Sequence, residues 1–242
     1  MKTALVTGAN KSIGFEVVKQ LIDKGYYVYL GSRDLQKGEE AVKQLHSDQV
    51  EAIRLDISDR ESIEAAHKQL SQKITALDVL VNNAGILGGM QQSATTTGIE
   101  IFREVFETNL FGVVSVTQTF LDLLKKSDAP RIVNVTSGLG SLTLHSDPNW
   151  KYYPVKTAVY GPSKSALNGY TIVLAYELRD TNFKVNAVDP GYTKTEFNNN
   201  SGPGTVEDAA ARIVKYAVIG ADGPTGGFFS DDNNPETGVS PW

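Results

Sequence analysis

The chain has 242 residues, 40% hydrophobic and 21% charged, which are the proportions of a globular protein and not of a disordered, collagenous or coiled-coil one. Its 23 basic and 28 acidic residues leave a net charge of −5, so no basic field exists to attract nucleic acid or anionic lipid. Cysteine is absent, which excludes disulfides, thiolate metal sites and a thiol nucleophile.

Short β-branched runs alternate with longer amphipathic stretches. Strands are predicted at 3–7, 26–30, 50–55, 79–81, 131–135, 184–188 and 227–229, several of them apolar almost throughout, as strands buried on both faces should be. The first helix, 13–24, ends at Gly25, a suitable C-cap. The second, 35–45, follows Asp34, a good N-cap. The third, 58–72, opens with Ser58 and carries Glu61 three residues on, the pattern of a capping box. An interrupted helix over 99–126, one over 160–179 and one over 206–218 complete the series. Strand and helix in alternation mean βαβ units, and hence a single doubly wound α/β domain over 1–242: a seven-stranded parallel sheet with helices on both faces.

Two segments break the rhythm. Residues 138–159 contain Pro148 and Pro154, and residues 191–205 are rich in Asn, Gly and Pro. Both read as long loops, the second as mobile, and long loops in a compact α/β domain are where binding function sits. No apolar run approaches the ~18 residues that span a membrane. The N-terminus does not read as a signal peptide, which makes a cytoplasmic location the default expectation.

Thr7-Gly8-Ala9-Asn10-Lys11-Ser12-Ile13-Gly14 follows the first strand and opens the first helix. A dinucleotide-binding turn sits at this point, where helix N–H groups face a pyrophosphate and glycine clears the approach. A plain tight βα turn has the same appearance. Arg33 lies just after the second strand, where an acid would bind a ribose 2′-hydroxyl and an arginine would bind a 2′-phosphate. With Lys11 beside it, the charge pattern favours NADP(H), and Asp34 reads as a helix cap and not as the ribose-binding acid. A solvated surface arginine is the alternative.

Further motifs follow in order: Asn82-Asn83-Ala84-Gly85 after the fourth strand, Thr108-Asn109, Ser137 at the end of the fifth strand, Tyr160-Gly161-Pro162-Ser163-Lys164 opening a helix, and Pro190-Gly191-Tyr192-Thr193-Lys194-Thr195 after the sixth strand. Together with Asn10-Lys11, Ser32-Arg33-Asp34 and Leu55-Asp56-Ile57, they resemble the short-chain dehydrogenase/reductase family, in its carbonyl-reductase-like branch, over essentially the whole chain. The resemblance implies NADPH-dependent reduction of a ketone or aldehyde to an alcohol. It implies a catalytic set of Asn109, Ser137, Tyr160 and Lys164. It also implies cofactor contacts from Gly8, Asn10, Lys11, Ser12, Ile13, Gly14, Arg33, Asp56, Ile57, Asn83, Ala84, Gly85, Tyr160, Lys164, Pro190, Gly191, Thr193 and Thr195. Two departures stand out: Ser12 where the family usually has glycine, and Pro162 where a small residue is usual.

The chemistry suits these residues. Carbonyl reduction needs a hydride at carbon and a proton at oxygen. Tyr160 and Lys164 are i and i+4 on one helical face, and an ammonium beside a phenol is expected to lower its pKa, making Tyr160 a general acid for reduction and a base for the reverse oxidation. By resemblance, Lys164 holds the nicotinamide ribose, Ser137 donates to the substrate oxygen, and Asn109 holds a water leading to solvent. No metal site is expected, because the three histidines are scattered. A nucleotide-sugar epimerase or dehydratase would need a further substrate domain, and a non-catalytic NADP(H)-binding module would not need the tetrad. Leu139, Leu144, Trp150, Tyr152, Tyr153, Tyr192 and Phe197 are candidates for the rim of a pocket for a hydrophobic or aromatic carbonyl compound. The 138–159 loop, longer than in many relatives, either folds onto the helices through which tetrameric relatives assemble or turns towards the substrate and leaves them open; the resemblance to carbonyl reductases favours a monomer over a homotetramer.

Overall fold

The computed structural model describes residues 1–242. The strands are β1 (Thr3–Val6), β2 (Tyr27–Ser32), β3 (Val50–Arg54), β4 (Val79–Asn82), β5 (Arg131–Val135), β6 (Lys184–Val188) and β7 (Phe228–Phe229). They form one seven-stranded sheet in the order β3-β2-β1-β4-β5-β6-β7. Every pairing is parallel, so each strand returns through a crossover and helices cover both faces. Side chains alternate between two cores. Val6, Val81 and Val133 face α1 (Ser12–Asp23) and α8 (Val206–Ala217). Leu5, Leu80 and Ile132 face α3 (Arg60–Ser71), α5 (Val113–Leu124) and α7 (Tyr160–Glu177). Burial on both faces is why the strands read as apolar runs. No helix is long and apolar enough to cross a membrane.

The helix ends follow the expected capping chemistry with one shift. Asp34 caps α2 (Leu35–Leu45), accepting the Lys37 N–H at 3.2 Å. At α3 the cap is Asp59, not Ser58: its carboxylate accepts the Glu61 N–H at 3.0 Å, while the Ser58 hydroxyl donates to Asp56 Oδ1 at 2.7 Å. A carboxylate also meets the positive end of the helix dipole, which a hydroxyl does not. The expected interruption in the fourth helical stretch is a π-helical turn, Glu107–Gly112, joining α4 (Ile99–Phe106) to α5 without a break.

The long loops have internal structure. Residues 138–159 begin with a 3₁₀ turn (Gly138–Gly140) and α6 (Leu142–His145). They hydrogen-bond to the C-terminal segment: the Ser141 hydroxyl donates to Pro241 O at 2.8 Å and Trp150 Nε1 to Asn233 Oδ1 at 3.2 Å. Ile172, Val173 and Tyr176 on α7 remain exposed, while Val113, Val116, Phe120, Leu167 and Leu174 are buried. Residues 191–205 contain a 3₁₀ turn (Glu196–Asn198) closed by a Thr195–Asn198 capping box.

A line of buried polar side chains crosses the sheet between α5 and α7. Asn82 Nδ2 donates to Thr117 Oγ1 at 3.0 Å and to Asn134 Oδ1 at 2.9 Å, and Asn134 Nδ2 donates to Thr171 Oγ1 at 2.9 Å. Removing the middle member takes an acceptor from Asn82 and a donor from Thr171, which keep Thr117 Oγ1 and Leu167 O as partners, and leaves one buried amide hydrogen and one hydroxyl lone pair unpaired at about 1–3 kcal/mol each. Asn134→Ala should therefore lower the unfolding free energy by about 2 kcal/mol or more in urea titrations.

Candidate active site

The C-terminal ends of the strands open on a cleft of about 1420 Å³ at the point where strand order reverses, between β1 and β4. It exceeds the ~300–1,000 Å³ of a pocket for one small ligand. Gly8, Asn10, Lys11, Ser12, Ile13, Gly14, Arg33, Asp56, Ile57, Asn83, Ala84, Gly85, Pro190, Gly191, Thr193 and Thr195 all line it, together with Ser137, Tyr160 and Lys164. Asn109 lies behind the wall, fully buried.

The glycine turn is tightly built. Gly8 has φ +60°, and a Cβ there would sit 2.9 Å from Ala84 Cα. A Cβ on Gly14 would sit 2.5 Å from Asn83 Nδ2, which donates to Thr7 O and Gly8 O at 2.9 and 3.0 Å. Ser12 has φ +55°, a region that favours glycine and explains why the family usually places one there. No side chain caps the N-terminus of α1, and its first turn holds no acid. Its free N–H groups face the cleft, and this donor set suits the phosphates of a dinucleotide.

The two cations expected at the ribose end behave differently. Arg33 is exposed and meets no carboxylate; Asp34 is occupied by the Lys37 N–H and by Lys37 Nζ at 3.9 Å. Lys37, one helical turn from Arg33, also lines the cleft and was missed in the sequence, because only the folded turn brings it to that side. Lys11 does not join Arg33: its ammonium pairs with Glu196 at 2.5 Å, across the cleft mouth.

At the other end, Lys164 Nζ donates to Val135 O at 2.9 Å and lies 5.8 Å from the centre of the Tyr160 ring. Burial pulls its pKa down to about 8. Tyr160 does not show the lowered pKa expected from its neighbour. Burial pushes the phenol well up, the Asp189 carboxylate adds to the rise, and a hydrogen bond with Ser137 opposes it. Desolvation of the phenolate outweighs an ammonium whose proton points at a backbone carbonyl. Asp189 itself is buried and raised by desolvation, against hydrogen bonds from Ser230, Gly191 and Gly138. It escaped the sequence reading because an acid before Pro-Gly gives no sign of burial.

Asn109 Oδ1 accepts the Ile86 N–H at 2.8 Å, and its Nδ2 donates to Ile86 O at 2.9 Å and Ser163 Oγ at 3.0 Å. A Cβ on Gly85 would lie 3.2 Å from Asn109 Oδ1 and 3.4 Å from Lys164 Nζ, so glycine lets both groups approach one point. Of the expected rim, Leu139, Tyr152, Tyr192 and Phe197 line the cleft, joined by Leu87, Met90 and Val155. Trp150 is instead buried edge-on to His145 and Tyr152, at 5.2 and 5.5 Å between ring centres. Tyr153 packs under Lys156 at 3.9 Å, and neither Leu144 nor Tyr153 reaches the cleft.

A switch-point crevice with bare helix N–H groups at one end and a buried tyrosine–lysine pair at the other defines a nicotinamide-dependent oxidoreductase. Comparison with known proteins agrees. Residues 2–205 match the short chain dehydrogenase family. The short-chain dehydrogenase anuI of Penicillium roqueforti is 39% identical over 238 residues, covering 95% of this chain and 94% of that protein. Salutaridine reductase from Papaver somniferum superimposes with a TM-score of 0.82 at 32% identity, over 96% of this chain and 100% of the other. An NADPH-bound carbonyl reductase from chicken fatty liver superimposes with a TM-score of 0.85 at 25% identity, over 100% and 99% of the two chains. The chain belongs to the short-chain dehydrogenase/reductase family and is an oxidoreductase acting on CH–OH and carbonyl groups.

The lowered pKa of Lys164 makes stability depend on pH. Between its folded value of about 8 and the ordinary 10.5, the unfolded chain holds a proton that the folded chain has released. The Lys164 contribution to stability therefore rises with pH across that window. Above pH 10 the raised Tyr160 acts in the opposite direction, because only the unfolded phenol ionises there. Urea unfolding of the protein without cofactor should show Lys164→Met more stable than the parent near pH 8, with the gap closing by about 2 kcal/mol towards pH 10.

Proposed function

We propose that the protein reduces a hydrophobic or aromatic aldehyde or ketone to the alcohol with NADPH, using Tyr160 as the proton donor. The supporting observation is that Tyr160, Ser137 and Lys164 sit at one end of the same cleft whose other end carries the bare α1 N-terminus and the unpaired Arg33. Reduced nicotinamide supplies the hydride when bound. The α1 N–H groups, with Gly8 and Gly14 keeping side chains away, hold the pyrophosphate; Asn10, Ser12, Ile13, Asp56, Ile57, Asn83 and Ala84 shape the adjoining wall. Pro190, Gly191, Thr193 and Thr195 close the nicotinamide end.

Arg33 binds the 2′-phosphate, with Lys37 in reach of the same anion; Lys11 is committed to Glu196 until that pair opens. Ser137 donates to the substrate oxygen and steadies the alkoxide as it forms. The raised pKa keeps Tyr160 protonated, so its proton leaves only as the carbonyl oxygen becomes basic. Lys164, close to its titration point at neutral to mildly alkaline pH, stabilises the phenolate left behind and holds the ribose. Asn109 holds the Ile86 peptide and Ser163, and through Gly85 faces the path by which Tyr160 recovers a proton. Leu87, Met90, Leu139, Tyr192 and Phe197 give the substrate an apolar, partly aromatic wall.

Two measurements test this function. Tyr160→Phe should abolish turnover of aromatic aldehydes and ketones, followed by loss of the reduced-nicotinamide absorbance, while NADPH still binds; substantial turnover by the folded variant overturns the assignment. Arg33→Ala should raise the Michaelis constant for NADPH by ~10-fold or more, the loss of a charge-assisted contact of about 1.5–3 kcal/mol, and leave that for NADH nearly unchanged. Equal effects on both cofactors overturn the 2′-phosphate role.

A further inference from the structure

The first N–H groups of a helix have no acceptor inside it. At α7, which starts with Tyr160, the N-cap residue Val159 supplies none from its side chain. The acceptor comes from far away in the chain. Gln92, in the loop between β4 and α4, accepts the Val159 N–H and the Tyr160 N–H on its Oε1, both at 2.9 Å. Its Nε2 donates to Leu87 O at 2.6 Å and to Gly89 O at 3.0 Å. A side-chain amide offers two lone pairs and two N–H donors, and all four are used. The orientation is fixed by chemistry: a flipped amide would turn its NH₂ towards two N–H groups and its oxygen towards two carbonyls.

The turn that receives Gln92 is shaped around it. Gly88 and Gly89 have φ of +78° and +99°, and a Cβ on Gly88 would fall 2.4 Å from Val105. The other end of the Tyr160 residue is tied to the same segment. Its carbonyl accepts the Ser163 hydroxyl at 2.7 Å, Ser163 Oγ accepts from Asn109 Nδ2 at 3.0 Å, and Asn109 brackets the Ile86 peptide. The N–H and the C=O of Tyr160 therefore both lead, through one and two side chains, to residues 86–89. Leu87 and Met90 of this segment line the cleft.

We propose that Gln92 is a positioning residue for the proton donor: it fixes the backbone of Tyr160 against the cleft wall at residues 86–90, and so sets the phenol's place relative to Ser137 and Lys164. The role rests on the proposed chemistry at Tyr160. Gln92 touches neither the glycine turn nor Arg33, so its effect belongs in kcat and not in the Michaelis constant for NADPH. A displacement of about 1 Å at a reacting group lowers turnover by about 100-fold.

The test compares three variants with the parent, using NADPH and para-nitrobenzaldehyde. Gln92→Met, close in shape but without hydrogen bonds, should lower kcat by ~10- to 100-fold and leave the Michaelis constant for NADPH within about twofold, since no cofactor contact is removed. Gln92→Glu keeps an oxygen for the two helix N–H groups but sets a carboxylate oxygen against the Leu87 and Gly89 carbonyls, which pushes the 86–89 turn away, so its kcat should also fall below the parent's. A cap that served folding alone would lower the unfolding midpoint and leave kcat per folded molecule at the parental value in both variants; that result, or a loss confined to NADPH affinity, overturns the proposal. If Gln92→Met does not fold, Gln92→Glu alone decides, by a lowered or a parental kcat. Tyr160→Phe, measured alongside, separates the two levels. An active Tyr160→Phe overturns the chemistry and this role together, whereas an inactive one beside a fully active Gln92→Met overturns the role alone.

Discussion

The burial of one ammonium group organises the site. Lys164 is 4% exposed, meets no carboxylate and has Val135 O as its hydrogen-bond partner. A charge taken out of water in this way is held at a penalty, which appears as the lowered pKa. The surroundings must therefore be fixed in advance, because no strong ion pair holds the lysine in place. α7 lies against β5 through the bond to Val135 O, through Thr136 Oγ1 donating to Asn168 Oδ1 at 2.8 Å, and through Asn134 to Thr171. Tyr160 is one turn towards the N-terminus on the same helix, so whatever fixes Lys164 also aims the phenol.

The π-helical turn serves the same constraint from the opposite side. An extra residue in a helical turn swings one side chain out of the regular series, and such turns collect at functional sites. Here it carries Asn109 to the Ile86 peptide and to Ser163. On the far side of the turn, Gly112 passes so close to Ile57 that a Cβ would sit 2.5 Å from its carbonyl oxygen. The turn thus touches Ile57 on one side of the cleft and Ser163 of α7 on the other, and joins the two ends of the cleft through packed groups.

Charge divides the cleft lengthwise. One end has Arg33 and Lys37 with Asp34 bound into a helix cap. The far end has the buried Asp189 behind the Ser137–Gly138 turn, and Asp232, which is engaged by Lys151 at 2.8 Å and by the Tyr152 hydroxyl at 2.9 Å. These carboxylates are tied to backbone and loop groups, and Leu87, Met90, Tyr192 and Phe197 give the cleft an apolar stretch of wall. The Lys11–Glu196 pair spans the mouth between the glycine turn and the 191–205 loop; because both partners are largely exposed, it is a weak closure.

Much of this was legible in the sequence. Periodicity and caps placed every strand and the main helices, because strands buried on both faces and amphipathic helices leave unmistakable patterns. The ordered motifs placed the cleft residues, because the C-terminal ends of consecutive parallel strands must meet at the switch point. What the sequence could not show were relations between residues far apart in the chain. Trp150 turned into the C-terminal segment and away from the rim, where Asn233 offered its indole a partner. The pKa of Tyr160 rose instead of falling, since desolvation depends on the packing of the whole cleft and not on a lysine four residues away. Lys11 found Glu196, and Tyr160 found Gln92, 68 residues earlier in the chain. Local sequence determines which groups are offered; only the tertiary structure decides which of them meet, because burial and hydrogen-bond geometry are properties of the assembled fold.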